Sequence, residues 1–324
     1  MQLSHMRTCD SFRTWAGGFA AALFLVGCGS DDGGAPTPRA FALSFAAVAD
    51  GKHIGCEDRV EGLGSDGGNS VGVSDLRFYV SNLKLWNDAK LEIPVTLDEN
   101  DFQYSSKAGQ VSLVDLTGNS EGSCAGNAIA FAEGTKRTNE VITGTAVIEQ
   151  VKSISFDVGV PQAVMQDVIA THTPEGAPSP LAEMQWTWAT AYRHFVMNFT
   201  VSDARGTTGD GYAHVGSRDC GPADGLALED RDRCDFVNTP QVSLEAFDLE
   251  KDVVTLDLRA LLADLGFIAP IYDSETFEVI GEGPGVACHS SPEQPDCLKL
   301  FEHFGLDMAA GTAKASSNAV FGAE

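Results

Sequence analysis

The segment from Pro180 to Cys220 gathers more side chains capable of chemistry than any other part of the chain. It reads PLAEMQWTWATAYRHFVMNF and, a little further on, HVGSRDC. Trp186 and Trp188 stand at alternate positions, Tyr192 follows, and His214 opens the second stretch. Alternate residues of an extended strand share a face, so aromatic rings and an imidazole can converge on one surface here. Neutral imidazole is the commonest protein metal ligand. Beyond His5, the candidates are His53, His172, His194, His214, His289 and His303. For the tryptophans the plainer account is core packing, with the indole N–H groups seeking acceptors.

The cysteines decide what else could hold a metal. Cys9 lies in an N-terminal stretch with basic Arg7 and Arg13 and then an apolar and small-residue run from Trp15 to Val26. Such a run is too short to span a bilayer as a stable helix, and it reads as a signal peptide over residues 1–27. It ends in Leu25-Val26-Gly27-Cys28, which resembles the lipobox of bacterial lipoproteins, with Cys28 as the lipidated mature N-terminus. Gly29 rather than Asp follows, which under lipoprotein sorting rules favours the outer membrane. Residues 28–40 are rich in Gly, Pro and polar residues and are expected to be a flexible tether. The expected location is the cell envelope, as an outer-membrane lipoprotein facing the periplasm or the cell surface.

Six cysteines are left: Cys56, Cys124, Cys220, Cys234, Cys288 and Cys297. An even number in an exported chain argues for disulfides. Cys220 with Cys234 and Cys288 with Cys297 close short Gly/Pro/Asp-rich loops, which leaves Cys56 for Cys124. No pair has the Cys-x-x-Cys spacing of a zinc site.

Other chemistries lack their signatures. There is no Gly-x-Ser-x-Gly elbow, His-Glu-x-x-His, glycine-rich phosphate loop or Cys-x-x-Cys-His for covalent haem. The acidic run Leu228 to Arg233 lacks the glycine and closing glutamate of an EF-hand and reads as a charged disulfide loop. With 21 basic against 46 acidic residues the formal net charge is −25. Such a surface repels nucleic acid and bare anionic lipid.

These side chains must be positioned by strands. Phe41–Val48, Leu76–Trp86, Glu92–Leu97, Val111–Leu116, Val141–Ile148, Ile154–Val158, Gln185–Val201 and Val242–Leu249 alternate apolar and polar residues between Gly, Asn, Asp or Pro breaks. The expected fold is mainly β, an antiparallel β-sandwich with long loops and a few short helices. Helices are expected at Gln162–Thr171, Val254–Leu265 and Leu298–Phe304. A single domain over residues 41–306 and a disordered Gly/Ala/Ser-rich tail over 307–324 complete the organisation.

The chain resembles the MbnP-like family, the metallo-mystery-pair four-cysteine proteins. Family signatures close to PLN...MFWSWQ.GYK and HLGS..C are matched by Pro180-Leu181-Ala182, Met184-Gln185-Trp186-Thr187-Trp188, Ala191-Tyr192-Arg193, and His214-Val215-Gly216-Ser217 with Cys220. Asp75 to Asn82 is similar to the D-x-R-F-Y-V-S-N block, Ser153 to Pro161 to F-x-x-G-V-P, and Cys297 to Leu306 to C-x-x-x-F-x-x-x-G-L. Gln185, Ala182 and Ala189 depart from the usual Phe, Asn and Gln.

The resemblance implies copper binding rather than catalysis. It weights His53, three residues before Cys56, His172, where the family often carries Asn-His, and His214 as ligands. His194 stands where the family commonly has Phe, and His289 and His303 lie by the last disulfide and helix, so these three are expected to be structural or solvated. The resemblance also implies a di-haem MauG-like, cytochrome c peroxidase-like partner that oxidises a tryptophan to kynurenine, whose new donors join the copper. Trp186 or Trp188 is favoured for this over Trp86. The rival expectations are a metal-dependent redox enzyme and a carbohydrate- or protein-binding surface module.

Overall fold

Eleven strands and three helices carry the architecture. They are β1 (Arg39–Ala49), β2 (Asn69–Trp86), β3 (Gly109–Asp115), β4 (Val141–Ala146), β5 (Ser153–Val158), α1 (Gln162–Thr171), β6 (Ala191–Ser202), β7 (Thr208–Gly216), β8 (Gln241–Glu245), β9 (Val254–Asp257), α2 (Leu258–Leu261), β10 (Val286–His289), α3 (Pro295–His303) and β11 (Phe321–Ala323). The computed structural model describes residues 36–117, 124, 138–172, 176–178, 180–187, 191–221, 233–273, 275–276, 278–314 and 318–324. The expected signal peptide, Cys28, most of the tether, Trp188 and most of the acidic loop lie outside them. Thr37–Glu324 form one compact unit.

Two sheets face each other, as the alternating pattern predicts. The six-stranded sheet runs β11–β9–β1–β4 and on to the short strand Thr96–Leu97, with Lys52–His53 beside β1. The eleven-stranded sheet runs β8–β5–β2–β6–β7–β10, with β3 and shorter strands added along β2, β3 and β6. Between them lies a phenylalanine-rich core. Phe45 of the first sheet meets Phe78 and Phe156 of the second edge-on, with centroids 5.8 and 6.0 Å apart. Phe321 packs on Phe78, Phe156 and Phe304. Such pairs contribute about 0.5–1.5 kcal/mol each beyond the area they bury.

β2 shows why the second sheet matters for function. Every residue from Val71 to Ser81 is buried, which alternation with one wet face cannot explain. Leu76, Phe78 and Val80 point into the main core. Tyr79 points the other way, into a second cluster with Val111, Leu113, Tyr192 and Val196 that Val164, Met165 and Val168 of α1 cover. Two-sided burial is what a covered sheet produces.

The three disulfides are Cys56–Cys124, Cys220–Cys234 and Cys288–Cys297, the pairing expected from the loops. Four elements differ from expectation. Glu92–Leu97 is divided between the sheets, Glu92–Ile93 pairing with β2 and Thr96–Leu97 with β4, and Gln185–Val201 is not one strand, since Gln185–Thr187 pairs antiparallel with β6. Val254–Leu265 is not one helix: Val254–Asp257 is β9, which pairs in parallel with β1, and only Leu258–Leu261 is helical. The switch is made by Asp257, whose carboxylate accepts from the N–H groups of Arg259 and Ala260 as an N-cap. The segment from residue 307 is not a disordered tail either. Leu306–Asp307 pairs with Thr312–Ala313, and β11 adds to β9 and buries Phe321. Composition hid a strand whose one aromatic residue closes the core. Strand β1 also begins at Arg39, inside the expected tether. Among the described residues no helix is long and apolar enough to cross a membrane.

Candidate metal centre

The outer face of the eleven-stranded sheet collects the polar side chains. On β6, Phe195, Met197 and Phe199 enter the main core, so His194 and Asn198 face outward. On β7, Ala213 and Val215 are core, so Tyr212 and His214 face outward. β10 pairs in parallel with β7, and its register sets His289 beside His214.

The two imidazoles meet. His214 Nδ1 and His289 Nδ1 are 2.9 Å apart. The Tyr212 ring stacks on His289 with centroids 4.1 Å apart and planes 17° from parallel. His214 is buried, whereas His289 and Tyr212 are half-buried, so the pair has a deep and a shallow member.

A hydrogen-bond chain orients the deep one. The Asp75 carboxylate accepts from Arg77 Nε and Nη2 at 2.8 and 2.7 Å, and both side chains are essentially inaccessible. Asp75 also accepts from Asn198 Nδ2 at 3.4 Å. The amide oxygen of Asn198 then faces His214 Nε2 at 2.8 Å. An oxygen there can only accept, so His214 carries its proton on Nε2 and presents the Nδ1 lone pair to His289. A histidine ligand held by a hydrogen bond from its other nitrogen is the usual arrangement in metal sites. Burial first, then His289, Arg193 and Arg77, push the His214 pKa well below the usual histidine value. The ring is neutral at ordinary pH.

The last disulfide and α3 orient the shallow one. Cys288 is bridged to Cys297 in the first turn of α3. Just before that turn, Gln294 Oε1 accepts the His289 N–H at 2.7 Å, and Asp296 accepts that of Ala287 at 3.2 Å. These side chains satisfy the free edge of β10, which would otherwise be unpaired.

The sequence motifs pack around this centre. Tyr79 Oη donates to Pro180 O at 2.6 Å and accepts from Met184 N–H at 3.2 Å. Arg77 Nη1 reaches Glu183 O. The block from Asp75 to Asn82 thus clamps the Pro180–Met184 turn. The strand Gln185–Thr187 that follows pairs with β6, which carries the Trp186 backbone alongside the strand next to β7. The side chain of Trp186 and all of Trp188 lie outside the described residues. Trp86 is elsewhere, with Nε1 donating to Ser155 Oγ at 2.9 Å.

His194 has a different fate. Val160 N–H donates to its Nδ1 at 3.1 Å, and its Nε2 lies 2.9 Å from Val237 O and 3.0 Å from Ser217 Oγ. Gly159, at φ +142°, lets the backbone pass over the ring, since a Cβ there would stand 2.6 Å from His194 Cγ. Both nitrogens are used, and His194 is structural, as expected.

His53 is exposed on a two-residue strand paired with Val48, in the other sheet. His172 follows α1, its Nδ1 2.7 Å from Thr171 Oγ1. Neither joins the His214 pair, and among the described residues no group of three or more His, Cys, Asp or Glu is arranged to hold a metal. His289 was expected to be structural or solvated. The disulfide that suggested this is what holds it against His214. The parallel pairing of β10 with β7 was the missing signal, and no local pattern announces it. His303, beside Leu261 O, has the structural role expected.

Two imidazole nitrogens converging on one point suit a soft or borderline cation such as Cu(I). A solved structure, MbnP from Methylosinus trichosporium, is similar in fold. It has a TM-score of 0.63 and 23% identity, with 89% of this chain and 98% of that one covered. No curated protein matches the chain. The MbnP family profile matches residues 38–277, and the chain belongs to the MbnP family.

Proposed function

We propose that this protein binds copper, held as Cu(I) by His214 and His289, as an exported, lipid-anchored carrier or store in the cell envelope. The supporting observation is the facing pair of nitrogens 2.9 Å apart, one on a ring kept neutral by burial and fixed in tautomer by Asn198. The family is associated with copper-related function, and the donor set fits that ion. Copper here is cargo. The chain's own part is to hold the two Nδ1 atoms against each other, the His289 N–H donating to the His214 lone pair until a metal takes the proton's place, and to exclude protons from the deeper ring.

A kynurenine made from Trp186 or Trp188 by a di-haem MauG-like partner is the third donor in this reading. It is supported by the pairing of the Trp186 strand with β6, the neighbour of the His214 strand. Lipidation at Cys28 and the outer-membrane location belong to the same proposal. The experiment is metal analysis and intact mass of the protein made with and without the di-haem partner, alongside H214A and H289A. Copper content that is unchanged in both variants rules the centre out. Equal copper binding without the partner, with no mass change in the Trp186–Trp188 peptide, removes the kynurenine alone.

A further inference from the structure

Five of the seven large hydrophobic side chains that stand exposed among the described residues sit in one hairpin. They are Ile268, Ile271, Tyr272, Val279 and Ile280, each 47–65% accessible. The hairpin pairs Ile268–Tyr272 with Val279–Pro284 and forms its own two-stranded sheet. Isolated apolar residues on a surface need no explanation, but five on one projection do.

The hairpin leads directly into the metal centre. Gly285 alone separates it from β10, whose last residue is His289. Its base is packed tightly against β7: Pro284 O occupies the space where a Cβ on Gly209 would stand, and Asp210 O and Ala269 close on Gly285. Tyr212 stands two residues beyond Asp210 on β7, and its ring stacks on His289, so the base of the hairpin adjoins the shallow side of the histidine pair.

Charge narrows the occupant. No Lys or Arg occurs between Arg259 and Lys299, while Asp264, Asp273, Glu275, Glu278, Glu282, Glu293 and Asp296 do. A second copy would bring the same negative rim against its own, and anionic lipid would be repelled as well. A protein with an apolar patch ringed by lysine or arginine would gain both hydrophobic contact and charge complementarity.

We infer that the Ile268–Pro284 hairpin is the docking surface for a cationic protein partner, seated beside the Tyr212–His289 mouth of the metal centre. That this partner passes or receives copper rests on the proposed function. The docking itself does not.

The test uses the whole protein and a synthetic amphipathic peptide with a leucine face flanked by lysines, titrated at low salt. Binding is expected, weakening as salt rises. The I271S/I280S variant, which keeps the charge, should bind about tenfold more weakly, as loss of central apolar anchors does. E278K/E282K should weaken binding too. Copper loading is measured on the same samples and should stay at the parent level, so loss of docking with copper retained separates the two readings. Circular dichroism checks the fold. Absence of binding, or equal binding by the parent and I271S/I280S, overturns the inference. So does a parent dimer that I271S/I280S makes monomeric, which would assign the hairpin to a second copy. Binding to phosphatidylcholine vesicles that is lost in I271S/I280S overturns it in favour of a membrane.

Discussion

His194 and His214 lie on adjacent strands, face the same side of the same sheet, and are both buried, yet they have opposite kinds of surroundings. Around His194 the partners are backbone and serine: Val160 N–H, Val237 O and Ser217 Oγ use both ring nitrogens. Around His214, Nε2 meets the Asn198 amide oxygen and Nδ1 meets a second imidazole. Burial alone thus says little about a histidine's role. The partners of each nitrogen separate a ring that closes a structure from one that offers a lone pair.

The comparison can be broken by substitution, and the largest effect is expected at the pair. H214A or H289A should lower copper affinity by more than about a hundredfold while the disulfides and fold persist, since each removes one of only two histidine donors. Competition titration against a chelator measures it. H194A should do the reverse. It leaves Val160 N–H and Val237 O without the ring and opens a cavity, costing about 3 kcal/mol of stability in urea unfolding, with copper affinity of the folded protein unchanged. If H194A abolished copper binding in folded protein, the contrast would fail.

A pH series sharpens it. Burial lowers the His194 pKa to about 4, against about 6.5 unfolded. The unfolded chain therefore binds the proton first. The stability this ring protects is complete above pH 6.5, falls as pH drops from there toward 4, and is spent below that. By linkage the loss at pH 4.5 is about 2–3 kcal/mol. Asp115 runs the other way: burial raises its pKa to about 6, so its contribution is full below the unfolded value and is lost as pH rises toward 6. The two oppose each other across the same window. Urea titrations should show H194Q flattening the acid side and D115N steepening it.

Smaller effects follow. N198A frees the His214 tautomer and should cost about tenfold in copper affinity, the usual scale for a supporting partner. H53A and H172A should change it by less than about twofold, because both rings lie away from the pair; a larger change in either would restore the sequence-based ligand set.

Much of this was legible in the residues, though unevenly. Alternation identified β1, β2, β5 and β6, and loop lengths gave the cysteine pairs, because both are local signals. His214 stood out as a candidate from its motif. The closeness of His289 to it did not, since that depends on the parallel β7–β10 pairing, which joins residues far apart in the chain. The missed helix start at Asp257 was local and readable as an N-cap, but the apolar spacing after it masked the strand before it. In the Gly/Ala/Ser-rich C-terminal segment, the one informative residue was Phe321, and its partners Phe78, Phe156 and Phe304 come from three separate places.

That wide separation has a kinetic side. The His214 strand pairs with its immediate neighbour in sequence, β6, a hairpin that closes at small entropic cost. The other sheet joins β1 to β9 and β11, from opposite ends of the domain, and cannot be completed until residue 321 has been made. Topology of this kind slows the final step of folding. The strands bearing His194 and His214 are therefore expected to pair while the opposite wall of the sandwich is still open, leaving the aromatic core the last part to close.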